Sequence, residues 1–157
     1  MRLCGSTISF PLQKCQRPAR LAPAMPPPAN PKSTALRERV LVADDEDLVR
    51  MVLKSLLAMR GYQVVTAEDG ADAVEKFRTA SPRPELVLLD FHMPKLTGLQ
   101  SLQAMREIDP RVPAVILSGG LHESVSEGME GVVFLHKPFE NDELLRLIRE
   151  LLDARGA

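Results

Sequence analysis

Five short apolar runs alternate with segments of helical periodicity between residue 39 and the C terminus. Uninterrupted runs of this length are typical of strands buried on both faces of a parallel sheet. The predicted strands are residues 40–43, 62–66, 86–89, 114–117 and 132–135. One helix is predicted between the acidic cluster 44–47 and Gly61, and others at 70–78, 98–108, 122–128 and 142–154. The pattern predicts an α/β fold, with a single doubly wound five-stranded parallel sheet and helices on both faces.

The first predicted helix carries an apolar stripe wide enough to cover a neighbouring layer. Its apolar positions repeat at the helical period: Leu48, Val49, Val52, Leu53, Leu56 and Leu57. Gly61 stands where a C-terminal glycine commonly ends a helix.

The first 36 residues differ from the rest of the chain in charge and composition. They contain five basic and no acidic residues, and seven of the 13 prolines. Because such a segment cannot bury enough apolar surface, it is predicted to be disordered, with a domain at residues 37–157. An organelle transit peptide and a true start at Met25 are the alternatives for this segment.

The predicted domain holds 15 of the 20 basic residues against all 21 acidic ones, a net charge of −6. This balance argues against a nucleic-acid-binding face, which needs clustered Lys and Arg. Both cysteines, Cys4 and Cys15, precede the domain, so no disulfide or thiolate metal site is expected within it. No run reaches the roughly 18 apolar residues that span a bilayer. We expect a cytoplasmic protein with no membrane or nucleic-acid partner.

Polar side chains follow four of the five predicted strands. Asp44 and Asp45 come after strand one, Asp90 after strand three, Ser118 after strand four and Lys137 after strand five. Strand two is predicted to end in nothing comparable. Each residue alone could simply cap a helix or form a turn. In an open parallel sheet, however, the carboxyl ends of the strands form the ligand-binding edge, so we expect these side chains to converge there.

Three converging carboxylates would repel each other unless a cation joined them. Oxygen ligands of this kind suit Mg²⁺. A phosphoryl group needs the same environment, because metal and ammonium neutralise its charge while a hydroxyl donates a hydrogen bond. The sequence thus favours magnesium-assisted phosphoryl chemistry at this edge.

Four motifs in this order resemble the signature of response-regulator receiver domains. They are Asp44-Asp45, the stretch from Asp90 to Gly98, Ser118-Gly119 and Lys137-Pro138-Phe139, and the resemblance extends from about residue 39 to the C terminus. It implies a flavodoxin-like strand order 2-1-3-4-5. It also implies a domain that accepts phosphate within a two-component phosphorelay and is not an enzyme in the ordinary sense.

The resemblance assigns a role to each site residue. Asp90 would be the phosphoacceptor, taking the phosphoryl group from a sensor histidine kinase or a histidine phosphotransfer protein. Asp45 and Asp90 would ligate Mg²⁺ directly, together with the backbone carbonyl of His92, and Asp44 would contribute through a water molecule. The kinase and a downstream protein are the implied partners.

The remaining roles concern the phosphoryl group and the response to it. Lys137 would pair with the phosphoryl oxygens and Ser118 would hydrogen-bond to one of them. In the family this hydroxyl shifts toward the phosphate while an aromatic residue of strand five, here Phe134, turns inward. We expect His92 and Gly120, which flank the path of attacking water, to set the phosphate lifetime.

One feature departs from the family pattern. The segment between Ser118 and Lys137 is about one helical turn shorter than usual, which predicts a short helix at residues 122–128. Family-style dimerisation uses that helix, so the shortening argues against it here.

Two other function classes compete with a stand-alone phosphoacceptor. A haloacid-dehalogenase-like phosphatase also uses an aspartyl phosphate, but it needs a second Asp where this chain has His92. A phosphate-independent scaffold would not require Asp45, Asp90, Ser118 and Lys137 together. Since few residues follow Lys137, we expect no output domain there.

Overall fold

The computed structural model describes residues 38–120 and 129–156, which form a parallel sheet between two layers of helices. The strands are β1 (Arg39–Ala43), β2 (Gln63–Ala67), β3 (Leu86–Asp90), β4 (Ala114–Ser118) and β5 (Val132–His136). The helices are α1 (Asp47–Met59), α2 (Gly70–Thr79), α3 (Gly98–Ile108) and α4 (Asn141–Gly156). All pairings are parallel, in the order β2-β1-β3-β4-β5. The predicted fold class and strand order are confirmed.

Two sequence predictions concern residues outside the described part of the chain. They are the disordered segment 1–36 and the short helix at 122–128. Within the described residues, no helix is long and apolar enough to cross a membrane.

Alternate residues of each strand enter different cores because a strand points successive side chains to opposite faces. Val40 and Val42 of β1 join the core beneath α1 and α4, whereas Leu41 and Ala43 join the core beneath α2 and α3. Every residue of β3 and β4 is buried, as expected for central strands covered on both faces. The carboxyl-terminal ends of these two central strands are therefore anchored in the core.

The apolar stripe of α1 is only partly buried. Leu53 and Leu57 are buried, but Leu48 is 71% exposed and Val52 is 54% exposed. At 100° per residue, Leu48 and Val52 lie on the opposite side of the helix from Leu57, so one layer cannot cover both groups.

Helix α1 ends just before Gly61, the glycine that the sequence predicted at this helix end. Gly61 has a φ of +92°, and the N–H of Tyr62 donates to the carbonyl of Leu57 across 3.2 Å. A left-handed glycine with this bond is the Schellman arrangement, which satisfies carbonyls at a helix end. Because Tyr62 serves the helix end, β2 begins one residue later than predicted, at Gln63.

The start of α3 is fixed by a capping box. The Thr97 side chain accepts from the N–H of Gln100, and the Gln100 side chain accepts from the N–H of Thr97. This reciprocal pair satisfies two donors that a helix start leaves open. The loop from Asp90 to α3 therefore ends at a defined point.

The C-terminal end of α4 is fastened to the end of α3 and the start of β3. Arg155 donates to Asp109 across 2.6 Å and to the carbonyl of Glu85 across 2.9 Å. Burial alone would raise the pKa of Asp109, but the hydrogen bond and charge of Arg155 lower it below the ordinary value of 3.8. The ionised carboxyl therefore stabilises the folded state.

This pair predicts part of the pH dependence of stability. A carboxyl with a depressed folded pKa stabilises the fold above its unfolded pKa and loses that effect as pH falls through the folded pKa. We expect the free energy of unfolding, measured in urea, to fall as pH drops below 3.8, and to fall less in an Asp109→Asn variant. Equal acid dependence in the two proteins would contradict this contribution.

Candidate functional site

Three of the predicted site residues meet at the carboxyl-terminal edge of the sheet. Asp44 follows β1, Asp90 ends β3 and Lys137 follows β5. The Lys137 Nζ lies 2.6 Å from Oδ1 of Asp90 and 3.2 Å from Oδ2 of Asp44. The Lys137 ammonium thus contacts two carboxylates, and one of them, Asp44, lies 93 positions away in the sequence.

Backbone groups hold the two carboxylates in position. The second oxygen of Asp44 accepts from the N–H of Glu46 at 2.9 Å, and that of Asp90 accepts from the N–H of His92 at 3.1 Å. Each carboxylate therefore uses one oxygen for a local backbone donor and the other for Lys137. Asp44 and Asp90 are both buried, so these contacts replace the water they have lost.

The charges of this group perturb one another. Burial raises the pKa of Asp90, and the negative charge of Asp44 raises it further. The hydrogen bond and charge of Lys137 lower this pKa, but by less, so it stays above its ordinary value. Burial lowers the pKa of Lys137, but its bond to Asp90 and the charges of both acids raise it more, leaving it above its ordinary value. Lys137 is thus cationic, while Asp90 remains harder to ionise than an exposed aspartate even with Lys137 beside it.

Ser118 is fully buried at the end of β4. Its hydroxyl donates to the carbonyl of Gly120 at 3.0 Å and accepts from the N–H of Gly120 at 3.3 Å. The backbone of Ser118 is tied to the same edge, because its carbonyl accepts from the N–H of Lys137 at 2.8 Å. The structure therefore places Ser118 beside the site with its side chain bonded to its own loop.

The remaining predicted site residues differ in burial. Asp45 and His92 are exposed, and the His92 ring contacts the Phe91 ring edge-on at a centroid distance of 4.8 Å. Phe134 of β5 is half-buried against the core beneath α2 and α3.

The described residues do not bring three carboxylates together as the sequence predicted. Within residues 38–120 and 129–156, no three His, Cys, Asp or Glu side chains lie close enough together to hold a metal ion. The donor chemistry nonetheless fits Mg²⁺, because Asp44 and Asp90 present carboxylate oxygens at one point and their mutual repulsion calls for a cation. Magnesium binding, including the contributions of Asp45 and the His92 carbonyl, stays a prediction.

The expectation that strand two ends in nothing comparable is wrong. Asp69, two residues after β2, is buried and caps α2 by accepting from the N–H of Asp72 at 2.8 Å. Its other oxygen accepts from Lys95 at 2.6 Å, and Lys95 has a left-handed φ of 68° in the loop after Asp90. The acid directly before the Gly70 helix start is the signal that could have identified this cap. The pair fastens the loop after Asp90 to α2.

The sequence places Gly98 at the end of a motif, and the structure shows that a side chain at this position would collide with the backbone of Asp90. A Cβ built on Gly98 would lie 2.5 Å from the carbonyl oxygen of Asp90. The N–H of Gly98 also donates to the carbonyl of Phe91 at 3.1 Å. The start of α3 therefore packs directly against the backbone of Asp90.

A doubly wound parallel sheet with two acids and a lysine at its carboxyl-terminal edge defines an α/β domain with a charged site at that edge. Residues 40–149 match the family model described as the response regulator receiver domain. The chain belongs to the response regulator receiver family. Receiver domains are phosphoacceptor signalling domains of two-component systems, and they interact with histidine kinases or phosphotransfer proteins and with downstream targets.

Individual relatives agree with this assignment. The chain is 34% identical over 122 residues to the chemotaxis protein CheY of Bacillus subtilis, covering 75% of this chain and 100% of CheY. It is 39% identical over 119 residues to the response regulator MprA of Mycolicibacterium vanbaalenii, covering 73% of this chain but only 50% of MprA. The chain thus spans all of one relative and about half of the other.

Solved structures show the same fold. A response regulator receiver protein from Sinorhizobium medicae superposes with a TM-score of 0.70 at 31% identity, covering 76% of this chain and 97% of that chain. The CheX–CheY–BeF3–Mg²⁺ complex from Borrelia burgdorferi gives a TM-score of 0.67 at 26% identity. The match covers 73% of this chain and 88% of the matched chain.

Proposed function

We propose that Asp90 accepts a phosphoryl group from a histidine kinase or a histidine phosphotransfer protein in a Mg²⁺-dependent reaction. The observation that carries this proposal is the Lys137 ammonium 2.6 Å from Oδ1 of a buried Asp90. The carboxylate sits at a ligand-binding edge with a cation already placed against it. This is the arrangement needed to receive a group that carries further negative charge.

In the proposed step, a carboxylate oxygen of Asp90 attacks the phosphorus of a phosphohistidine. A bond from oxygen to phosphorus forms, the bond from phosphorus to nitrogen breaks, and the histidine nitrogen keeps the electron pair. Lys137 pairs with the phosphoryl oxygens, and the backbone N–H of His92 holds the carboxylate in orientation. Lys137 thereby neutralises charge as it develops.

Asp45, Asp90 and the His92 carbonyl would hold Mg²⁺ directly, with Asp44 acting through water. A bound Mg²⁺ supplies charge neutralisation for the phosphoryl oxygens. The raised pKa of Asp90 supports this part of the proposal, because an added cation favours the ionised carboxylate that attacks.

The proposed response begins at Ser118. Its hydroxyl leaves Gly120 for a phosphoryl oxygen, and Phe134, which is only half-buried, turns inward. The changed surface binds a downstream protein. Such a switch needs a two-state element that the new charge can bias. His92 and Gly120 are proposed to set how long the phosphate persists.

We further propose that the receiver domain at residues 37–157 acts as a stand-alone unit. Support comes from the match to CheY over the whole of that relative, against half of MprA.

Incubation with acetyl phosphate and Mg²⁺, followed by intact-mass measurement, tests the proposal. We expect one phosphoryl adduct in the wild type and none with EDTA or in an Asp90→Asn variant. Circular dichroism of the variant verifies that it is folded. Beryllium fluoride binding is measured alongside, because rapid hydrolysis would hide the adduct. Failure of both the adduct and beryllium fluoride binding would overturn phosphorylation and favour the scaffold function.

A further inference from the structure

The loop between Asp90 and α3 contains a strained turn centred on Lys95. Lys95 has a φ of 68°, and the N–H of Leu96 donates to the carbonyl of Pro94 across 2.8 Å. A three-residue turn closed in this way around a positive φ is the rare and strained form of the γ-turn. A residue other than glycine keeps such a conformation only where its surroundings enforce it. Contacts outside the turn must therefore hold Lys95 in place.

Two contacts with the start of α2 hold this turn. The Nζ of Lys95 lies 2.6 Å from Oδ2 of Asp69, the residue that caps α2. The carbonyl oxygen of Leu96 lies so close to Gly70 that a Cβ built on this glycine would be 2.3 Å away. One contact is an ion pair and the other is backbone packing, and they act on neighbouring residues of the turn.

The two side chains of the ion pair differ in exposure. The Asp69 side chain is 8% exposed, whereas that of Lys95 is 64% exposed. The other oxygen of Asp69 accepts from the N–H of Asp72, so Lys95 supplies the positive charge that this buried carboxylate needs. Because a buried charge without a partner is costly, Asp69 holds the lysine although most of that side chain faces solvent.

The loop that contains the turn also carries backbone groups of the candidate site. The N–H of His92 donates to Oδ2 of Asp90 across 3.1 Å, and the proposed carbonyl ligand for Mg²⁺ belongs to the same residue. Only two residues separate His92 from Lys95. The conformation at Lys95 therefore helps to set where the His92 backbone lies relative to Asp90.

We propose that the Asp69–Lys95 ion pair positions the His92 backbone for Mg²⁺ binding and phosphorylation at Asp90, an inference that rests on the proposed function. Lys95 is a positioning residue, because its ammonium contacts Asp69 and acts on Asp90 only through the loop. Without the ion pair, packing alone holds the strained turn, so a smaller fraction of the protein has the competent arrangement. The apparent affinity for Mg²⁺ falls with that fraction, and saturating Mg²⁺ restores it.

A Lys95→Met variant tests this positioning, because methionine keeps a long apolar stem but loses the ammonium. We expect the Mg²⁺ concentration for half-maximal phosphorylation by acetyl phosphate to rise about fivefold, the upper end for a partly exposed ion pair. The rate at saturating Mg²⁺ should stay within about twofold of the wild type. Calorimetric titration with Mg²⁺ alone should show the same loss of affinity, and Lys95→Arg, which keeps the charge, should restore it.

The partner residue provides a second variant. Asp69→Asn keeps an oxygen that can cap α2 but removes the charge, so it should raise the Mg²⁺ requirement about as much as Lys95→Met does. The double variant should lose little more than either single one, since both changes remove the same pair. Lys76→Met is the matched control, because Lys76 pairs with Asp72 of the same helix at 2.7 Å and donates to the carbonyl of Thr66 in β2. The control should keep the wild-type Mg²⁺ requirement.

The possible failures can be told apart. Wild-type Mg²⁺ affinity in Lys95→Met would overturn the positioning role and leave the proposed function intact. Equal losses in Lys95→Met and Lys76→Met, or losses that add fully in the double variant, would do the same. A wild type that neither binds Mg²⁺ nor accepts phosphate would instead overturn the proposed function, and the positioning role with it.

Discussion

Replacement of Lys137 by methionine is expected to slow phosphorylation of Asp90 by a factor on the order of 100 to 1,000, the range for losing one preorganised donor to developing charge. The ammonium contacts both Asp90 and Asp44, so the same group is placed to contact phosphoryl oxygens attached to Asp90. Methionine keeps a long apolar stem but has neither the charge nor the N–H donors. The rate is measured by intact mass against time, with acetyl phosphate and Mg²⁺ held constant.

A Lys54→Met variant is the control for this experiment. Lys54 is an exposed lysine of α1, so its replacement changes the net charge equally without touching Asp90. This control should be phosphorylated at the wild-type rate. Unchanged kinetics in Lys137→Met, or an equal loss in both variants, would show that Lys137 does not stabilise the transferred group.

The Gly98→Ala variant should be less stable than the wild type by about 1 to 3 kcal/mol, the usual cost of overpacking. Alanine favours a helix over glycine by about 1 kcal/mol, but here its Cβ would lie 2.5 Å from the Asp90 carbonyl oxygen. The obstacle is backbone in a fully buried strand and cannot rotate away, so the steric term exceeds the propensity gain. Urea unfolding measures the difference. Displacement of Asp90 should also slow its phosphorylation.

Gly119→Ala provides the contrast. A Cβ on Gly119 would meet no atom of residues 38–120 and 129–156 within 4 Å, so this change should alter stability by less than about 0.5 kcal/mol. Comparable destabilisation by the two substitutions would mean that the close approach at Gly98 is not the cause.

The strands and the meeting of Asp44, Asp90 and Lys137 were predictable because they follow from short-range patterns and one topological rule. Buried strands read as uninterrupted apolar runs, and parallel order brings their carboxyl ends to the same edge. Each of these three residues ends a strand or immediately follows one, so its position in the sequence was enough to place it at this edge. The roles assigned to them rest on family resemblance.

Features that depend on contacts between distant segments were not predictable. The buried side of α1 is set by packing against the sheet and α4, so the periodicity of the sequence alone does not show that Leu48 and Val52 are exposed. The pairing of Asp69 with Lys95 joins residues 26 positions apart through a left-handed lysine, a conformation with no reliable sequence signal.

The hydrogen bonds of Ser118 imply a particular selectivity. Its hydroxyl already donates to a neutral acceptor, the Gly120 carbonyl, so turning toward Asp90 exchanges one bond for another. A neutral bond contributes about 1 kcal/mol net, and a bond to an ionised acceptor is roughly twice as strong. If Ser118 has the proposed role, an anionic phosphoryl group on Asp90 offers the hydroxyl a stronger acceptor than the Gly120 carbonyl, whereas an uncharged ester or amide offers no gain. The proposed switch would then respond to the charge that Asp90 carries.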